Sequence, residues 1–159
     1  MRRTLILALG LVALGGCTPA GVLRLYVIDC GRIRYGSPAP FGVSPSEIDA
    51  RELSVPCYVV DHPSGRLLWG AGMPPDLAGL GWVDPPPRTI AASGVQVRLD
   101  RRLSESLGDL GLDMSAFDLA AFSHMHFDHV GSARELQGAT FLTSRPEYDA
   151  AFADSITVP

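Results

Sequence analysis

Ser123-His124-Met125-His126-Phe127-Asp128-His129-Val130-Gly131 places three imidazoles and a carboxylate within the six positions 124–129. The chain has four histidines, and only His62 lies outside this stretch. An apolar run at residues 119–122 leads straight into it, so the histidines are expected where a buried strand emerges at the rim of a sheet. In extended or loosely coiled backbone His124 and His126, at i and i+2, project to one side, whereas Asp128 and His129 lie one turn further on and address a second point. Borderline ions such as zinc take imidazole nitrogen and carboxylate oxygen, and a carboxylate in the set favours a catalytic centre over a closed structural one. The spacing suits two ions and points to a metal-dependent hydrolase.

These residues resemble the H-x-H-x-D-H signature of the metallo-beta-lactamase superfamily, and within it the N-acyl homoserine lactonase branch. The likeness extends to Val55-Pro56-Cys57-Tyr58-Val59-Val60, Gly65-Arg66-Leu67-Leu68-Trp69 and Gly72-Met73-Pro74. Downstream it takes in Phe141-Leu142-Thr143-Ser144-Arg145-Pro146-Glu147-Tyr148-Asp149-Ala150-Ala151. The resemblance implies an α+β fold, the four-layer αββα sandwich of metallo-beta-lactamase type, with this chain supplying about its N-terminal half. It implies two Zn2+ ions, one held by His124 and His126 and the other by Asp128 and His129. The implied reaction opens a lactone or ester, such as a quorum-quenching N-acyl homoserine lactonase would, with Asp128 relaying a proton to the leaving oxygen. The motif fixes the metal and not the substrate, so thioesterase, sulfatase and phosphodiesterase activities stay open, as does a non-catalytic, membrane-anchored fragment or pseudoenzyme.

The chain departs from the family pattern twice. Gly70 stands where the family has an Asp two residues before the glycine matching Gly72, a carboxylate that orients the metal loop. Loss of such a supporting group typically costs about ten- to a hundredfold in affinity or activity. The family's further His, bridging Asp and last His lie beyond Pro159, so a C-terminal half is expected to be needed for a complete site. A half sandwich would leave an apolar sheet face wet.

Composition sets the outer bounds. At 159 residues, 47% hydrophobic and 19% charged, the chain has the make-up of one core-forming domain. A net charge of −4 and the absence of any Lys/Arg cluster argue against nucleic acid, since Arg101-Arg102 is soon followed by Glu105 and Asp109. Neither a G-x-S-x-G elbow nor a G-x-x-x-x-G-K-[ST] phosphate loop is found in the sequence.

The start of the chain reads as a targeting segment. Met1-Arg2-Arg3 supplies positive charge, residues 5–14 a short apolar stretch, and Leu14-Gly15-Gly16-Cys17 a small-residue cleavage site. Ten apolar positions are too few to span a bilayer. The sequence around Cys17 resembles a bacterial lipobox, so residues 1–17 are expected to be a lipoprotein signal with its acceptor cysteine, and residues 18–159 the domain. Lipidation of Cys17 would tether the protein to a membrane outside the cytoplasm, and Thr18 at the next position resembles outer-membrane sorting.

Along the remaining chain, residues 23–29 read as a strand and residues 36–45 as a loop. Residues 56–60 and 66–69 form a hairpin with a five-residue turn that contains a solvated His62. Residues 73–87 read as a long exposed loop, with Leu80 and Trp82 as either an apolar wall or a surface pin. An apolar stripe predicts a helix over 99–112, a short helix capped by Ser132, a strand at 140–143, and a helix opened by Pro146. Cys30 and Cys57, both in strand-like runs, could pair in an oxidising compartment, and buried free thiols are the expected role.

Overall fold

The computed structural model describes residues 21–87 and 94–153. Cys17 and the expected signal segment, residues 1–17, lie outside them. The strands are β1 (Arg24–Arg34), β2 (Glu52–His62), β3 (Gly65–Trp69), β4 (Gln96–Arg98), β5 (Leu119–Ala121) and β6 (Thr140–Leu142). The helices are α1 (Leu103–Gly108), α2 (Phe127–Val130) and α3 (Arg145–Ala151). One six-stranded sheet has the order β4-β1-β2-β3-β5-β6. The pairs from β4 to β3 are antiparallel, whereas β5 runs parallel to both β3 and β6.

Period-two alternation assigns the two faces of the sheet. Ile28, Val55, Cys57, Val59, Leu68 and Ala120 point to one side and are buried together with Leu103 and Leu107 of α1, Met73, Phe117 and Phe122. Burying an aliphatic side chain of this size contributes about 1.5–3 kcal/mol. On the other side Leu25 pairs with Val60, Val27 with Tyr58, and Tyr58 with Trp69. That face is the expected wet one: Leu25 is 62%, Val27 64%, Trp69 45% and Leu142 45% exposed.

Several expectations need correcting. Cys30 and Cys57 are not free thiols but a disulfide with Cα atoms 5.8 Å apart, well within bridging range. Their two apolar runs are neighbouring strands, and the register irregularity between Asp29 and Arg32 lies at Cys30. The β2–β3 turn has two residues, Pro63 and Ser64, because pairing continues through Asp61–Arg66 and His62–Gly65. The Arg66 guanidinium, 2.9 Å from Asp61, ties those last rungs together. His62 is exposed at the end of β2, and its Nδ1 accepts the Ser64 N–H at 3.1 Å.

The helix expected over 99–112 is confined to α1. Residues Gln96–Arg98 extend the sheet instead, pairing with Arg32–Arg34, and Leu99 is buried beside a bridge to Ala78. Nor is the segment 73–87 exposed throughout: Met73 and Leu77 are core residues, and Val83 exchanges backbone hydrogen bonds with Val97. Trp82 is pinned under the Arg34 guanidinium, 4.0 Å from the ring centroid, while Leu80 stands in solvent. Ser132 caps no helix with its side chain, because its buried hydroxyl donates to the carbonyl of Met73 at 3.3 Å. Among the described residues no helix is long and apolar enough to cross a membrane.

Candidate metal centre

Strand β5 is short because its chain leaves the sheet at Phe122. The Phe122 N–H donates to Leu142, and its carbonyl accepts the Thr143 hydroxyl at 3.2 Å. The next residues run clear of the sheet until His126, whose φ of −67° and ψ of 152° are extended and precede the single turn of α2. This local path brings the candidate donors together. The rings of His124 and His126 lie 4.6 Å apart at 77°, and those of His124 and His129 lie 4.0 Å apart at 48°. Asp128, buried on α2, places Oδ2 3.2 Å from Nε2 of His129.

Side chains and backbone around the cluster restrain it. Ser123 Oγ and His124 Nδ1 hydrogen-bond at 3.0 Å, which leaves Nε2 as that ring's other donor atom. Glu147 of α3 accepts the Met125 N–H at 2.7 Å. Behind the loop, residues 71–73 are laced to residues 129–132: Ala71 N–H donates to His129, Gly131 N–H to Gly72, and Ser132 N–H to Ala71. Gly131 makes this lacing possible, since a Cβ there would sit 2.2 Å from the backbone of Met73 and Pro74.

Gly70 ends β3 with its N–H donating to Ala121, and its φ of +77° is left-handed. A glycine takes that conformation without strain. The carboxylate implied at this position is absent, and the orientation of the loop rests on the lacing and on Glu147.

Electrostatics favour a neutral His124 ring beside an ionised Asp128 carboxylate. Burial lowers the pKa of His124, and the neighbouring His129 and His126 lower it further, against partial opposition from Asp128 and Glu147. Burial pushes the Asp128 carboxyl up, but the hydrogen bond and charge of His129, its own backbone N–H and His124 outweigh this, so the net shift is downward. Neutral imidazole and carboxylate are the protonation states that bind divalent ions.

The donor set fits zinc in chemistry, since imidazole nitrogen and carboxylate oxygen are its ordinary ligands. Asp128 and His129 are bonded to each other, Oδ2 to Nε2 at 3.2 Å, and an ion bound by both would replace that contact. The set is short in number, however. Among the described residues no three His, Cys, Asp or Glu side chains converge as a group able to hold an ion.

Reasoning from sequence named the four candidate donors but gave no part in their support to Glu147, Ser123 or Gly131, and assigned Ser132 to a helix cap. Ser144-Arg145-Pro146-Glu147 carries the S-x-x-E signal of a helix start, which would have drawn notice to Glu147 but assigned it to its own helix. No local signal marks Gly131, whose role depends on a crossing with residues 72–74.

Residues 50–154 match the profile of the metallo-beta-lactamase superfamily. The chain belongs to that superfamily. This metallo-beta-lactamase domain is 25% identical over 142 residues to the N-acyl homoserine lactonase AttM of Rhizobium johnstonii, covering 82% of the chain and 49% of that protein. Its fold resembles an N-acyl homoserine lactone hydrolase solved with N-hexanoyl-L-homoserine at its catalytic metal centre, with TM-score 0.61, 25% identity, and 80% and 50% of the two chains covered. It also resembles AidC, a dizinc quorum-quenching lactonase, with TM-score 0.59, 18% identity, and 87% and 47% covered. The superfamily chain thus spans about half the length of the curated relative it matches. Its mixed α+β architecture, one six-stranded sheet with few helices, is that of metallo-beta-lactamase structures.

Proposed function

We propose that this chain is the donor-loop half of a metal-dependent hydrolase that opens a lactone or ester, with N-acyl homoserine lactones as the leading substrate class. The observation carrying the proposal is the gathering of His124, His126, Asp128 and His129 within one loop at the exit of β5. The lactonase relatives set the substrate class.

In this proposal His124 and His126 would hold one zinc ion, and Asp128 and His129 would supply part of the coordination of a second. Zinc, when bound, supplies a hydroxide nucleophile near neutral pH and polarises the carbonyl under attack. Ser123, hydrogen-bonded to Nδ1, restrains the orientation of the His124 ring. Asp128, held ionised, would accept the proton that the attacking hydroxide carries once its oxygen is bonded to the carbonyl carbon, and pass it to the departing alkoxide, leaving the product as a carboxylate. The apolar face bearing Leu25, Val27 and Trp69 receives the second sheet of the sandwich, whose segments supply the remaining ligands.

The proposal keeps Cys17 as a lipidated residue that anchors the domain to a membrane outside the cytoplasm. Leu14-Gly15-Gly16-Cys17 supports it, and so does the Cys30–Cys57 bridge, since disulfides persist mainly in oxidising compartments. Metabolic labelling with a fatty acid tests the anchor, which is lost as a hypothesis if Cys17→Ser labels as well as the parent.

A non-catalytic reading is favoured by one observation, the absence of three converging donors among the described residues. Two measurements separate the readings. Zinc titration of this chain is expected to show weak binding of fewer than two ions, and tight retention of two would contradict the shared-site proposal. Homoserine lactones, simple esters and phosphodiesters are then compared on a polypeptide of the relatives' full length that carries this chain. Turnover of none of them would leave the non-catalytic reading.

A further inference from the structure

We propose that Glu147 is a positioning residue, which fixes the backbone between the two leading histidines by accepting the Met125 N–H. The role rests on the metal-centre reading above, but the contact that carries it does not.

After Phe122 the donor loop has left the sheet, so the Met125 amide lies outside the strand pairing. A backbone N–H on a part-buried residue needs an acceptor, and leaving it unmet costs stability. The acceptor comes from 22 residues away: Glu147 Oε1 stands 2.7 Å from Met125 N. That length is typical of a bond to an ionised carboxylate, which is about twice as strong as a neutral one.

Glu147 is itself well held. Its N–H donates to Ser144 Oγ at 3.4 Å, and its carboxylate sits in the first turn of α3, where negative charge is favoured. In an ordinary capping box this side chain would turn back to the N–H of Ser144. Here it reaches across to the donor loop instead. Met125 lies between His124 and His126, so a fixed peptide plane at 125 sets the directions in which both rings leave the backbone. With Gly70 in place of a supporting carboxylate, Glu147 is a carboxylate bonded to the loop from outside it.

The test uses the full chain, isotope-labelled, in three forms: parent, Glu147→Gln and Glu147→Ala, with Asp149→Ala as a control on the exposed side of α3. Amide hydrogen exchange at Met125 without metal is the first readout, and zinc affinity, measured with zinc alone, is the second. Exchange at Met125 is expected to rise about fivefold in Glu147→Gln, where the acceptor is kept and the charge lost, and at least about tenfold in Glu147→Ala. Zinc affinity should fall in the same order, by about tenfold or more in Glu147→Ala, and Asp149→Ala should change neither readout.

Unchanged Met125 exchange in both variants overturns the proposal. Faster exchange with unchanged zinc affinity also overturns it, because the bond would then be structural only. If Glu147→Ala does not fold, the isosteric Glu147→Gln decides alone: faster exchange with weaker zinc binding supports the role, and parent-like values remove it. If zinc binds to none of the four proteins, the metal-centre reading fails and the positioning role falls with it, whereas Met125 exchange still reports whether the contact exists.

Discussion

His124 and His129 stand 4.0 Å apart, ring centroid to ring centroid, within one loop of a domain that buries His124 enough to disfavour its charge. Two imidazolium ions at that distance repel, and one neutral ring relieves the repulsion.

A pH dependence follows. The folded pKa of His124 lies below 6.5, the value to which it returns on unfolding. Below that pH the unfolded chain takes up a proton that the folded chain refuses, so stability is fully present above about 6.5 and declines as pH falls toward the folded value. Asp128 acts in a separate, lower window, its contribution being lost as pH falls below 3.8. Urea midpoints in zinc-free buffer should fall between about pH 7.5 and 5.5, and His124→Gln should flatten the decline. A midpoint that stays level in the parent chain would count against this account.

Gly131 and Gly108 should respond oppositely to the same substitution. A Cβ at Gly131 would meet Met73 and Pro74 backbone at 2.2 Å, whereas at Gly108 nothing lies within 4 Å. Gly131→Ala is expected to cost on the order of 3 kcal/mol or to prevent folding, because backbone cannot step aside cheaply. Gly108→Ala, in a helix, should gain about 0.5–1 kcal/mol. Denaturant titration of the two variants measures both, and a Gly131→Ala protein of parent stability would show that the crossing is looser than described.

Removing the Cys30–Cys57 bridge should destabilise the chain measurably. The two cysteines are 27 residues apart in sequence, and the chain-entropy account assigns a loop of that size about 3–4 kcal/mol. The paired variant Cys30→Ser/Cys57→Ser should unfold at a correspondingly lower urea concentration. It should also loosen the donor loop, since Cys30 accepts the Met73 N–H and Met73 in turn accepts the Ser132 hydroxyl. Unaltered stability in reductant would speak against a bridge.

Gly70→Asp restores the carboxylate usual at this place in the family. Space permits it, the nearest atom to a new Cβ being the Pro56 carbonyl oxygen at 3.6 Å, but φ of +77° does not favour it. The expected result is a trade: about 1–2 kcal/mol less stability from the left-handed backbone, against about tenfold tighter zinc binding from better loop orientation. Calorimetry with zinc measures both quantities. Equal affinity in the two proteins would mean that the lacing of residues 71–73 already does the orienting.

Much of this was legible in the chain because the signals were local. The β-branched and aromatic bias of residues 23–29 marks a strand without reference to anything else, and three imidazoles and a carboxylate in six positions mark a candidate ligand loop on their own. What escaped depends on partners distant in sequence. Arg66 closing the turn on Asp61 shortened it from five residues to two. The apolar stripe from Leu99 onward looks helical in its own neighbourhood, yet Leu99 bridges to Ala78 and the helix starts only at Leu103. Cys30 and Cys57 read as solitary until β1 and β2 are laid side by side, and Glu147 reads as the start of its own helix until α3 is placed against the loop.

The direction of β5 has a wider consequence. With parallel neighbours on both sides, the chain departs β3, β5 and β6 at the same margin of the sheet. Three stretches far apart in sequence, beginning at Gly70, Phe122 and Thr143, are thereby delivered to a common border, where open α/β sheets generally bind their ligands. Strand β1, antiparallel to β2 as β3 is, runs in the same direction and ends at that border too. Side chains along the border therefore come from separate stretches, and each stretch is free to vary while the strands beneath stay as they are.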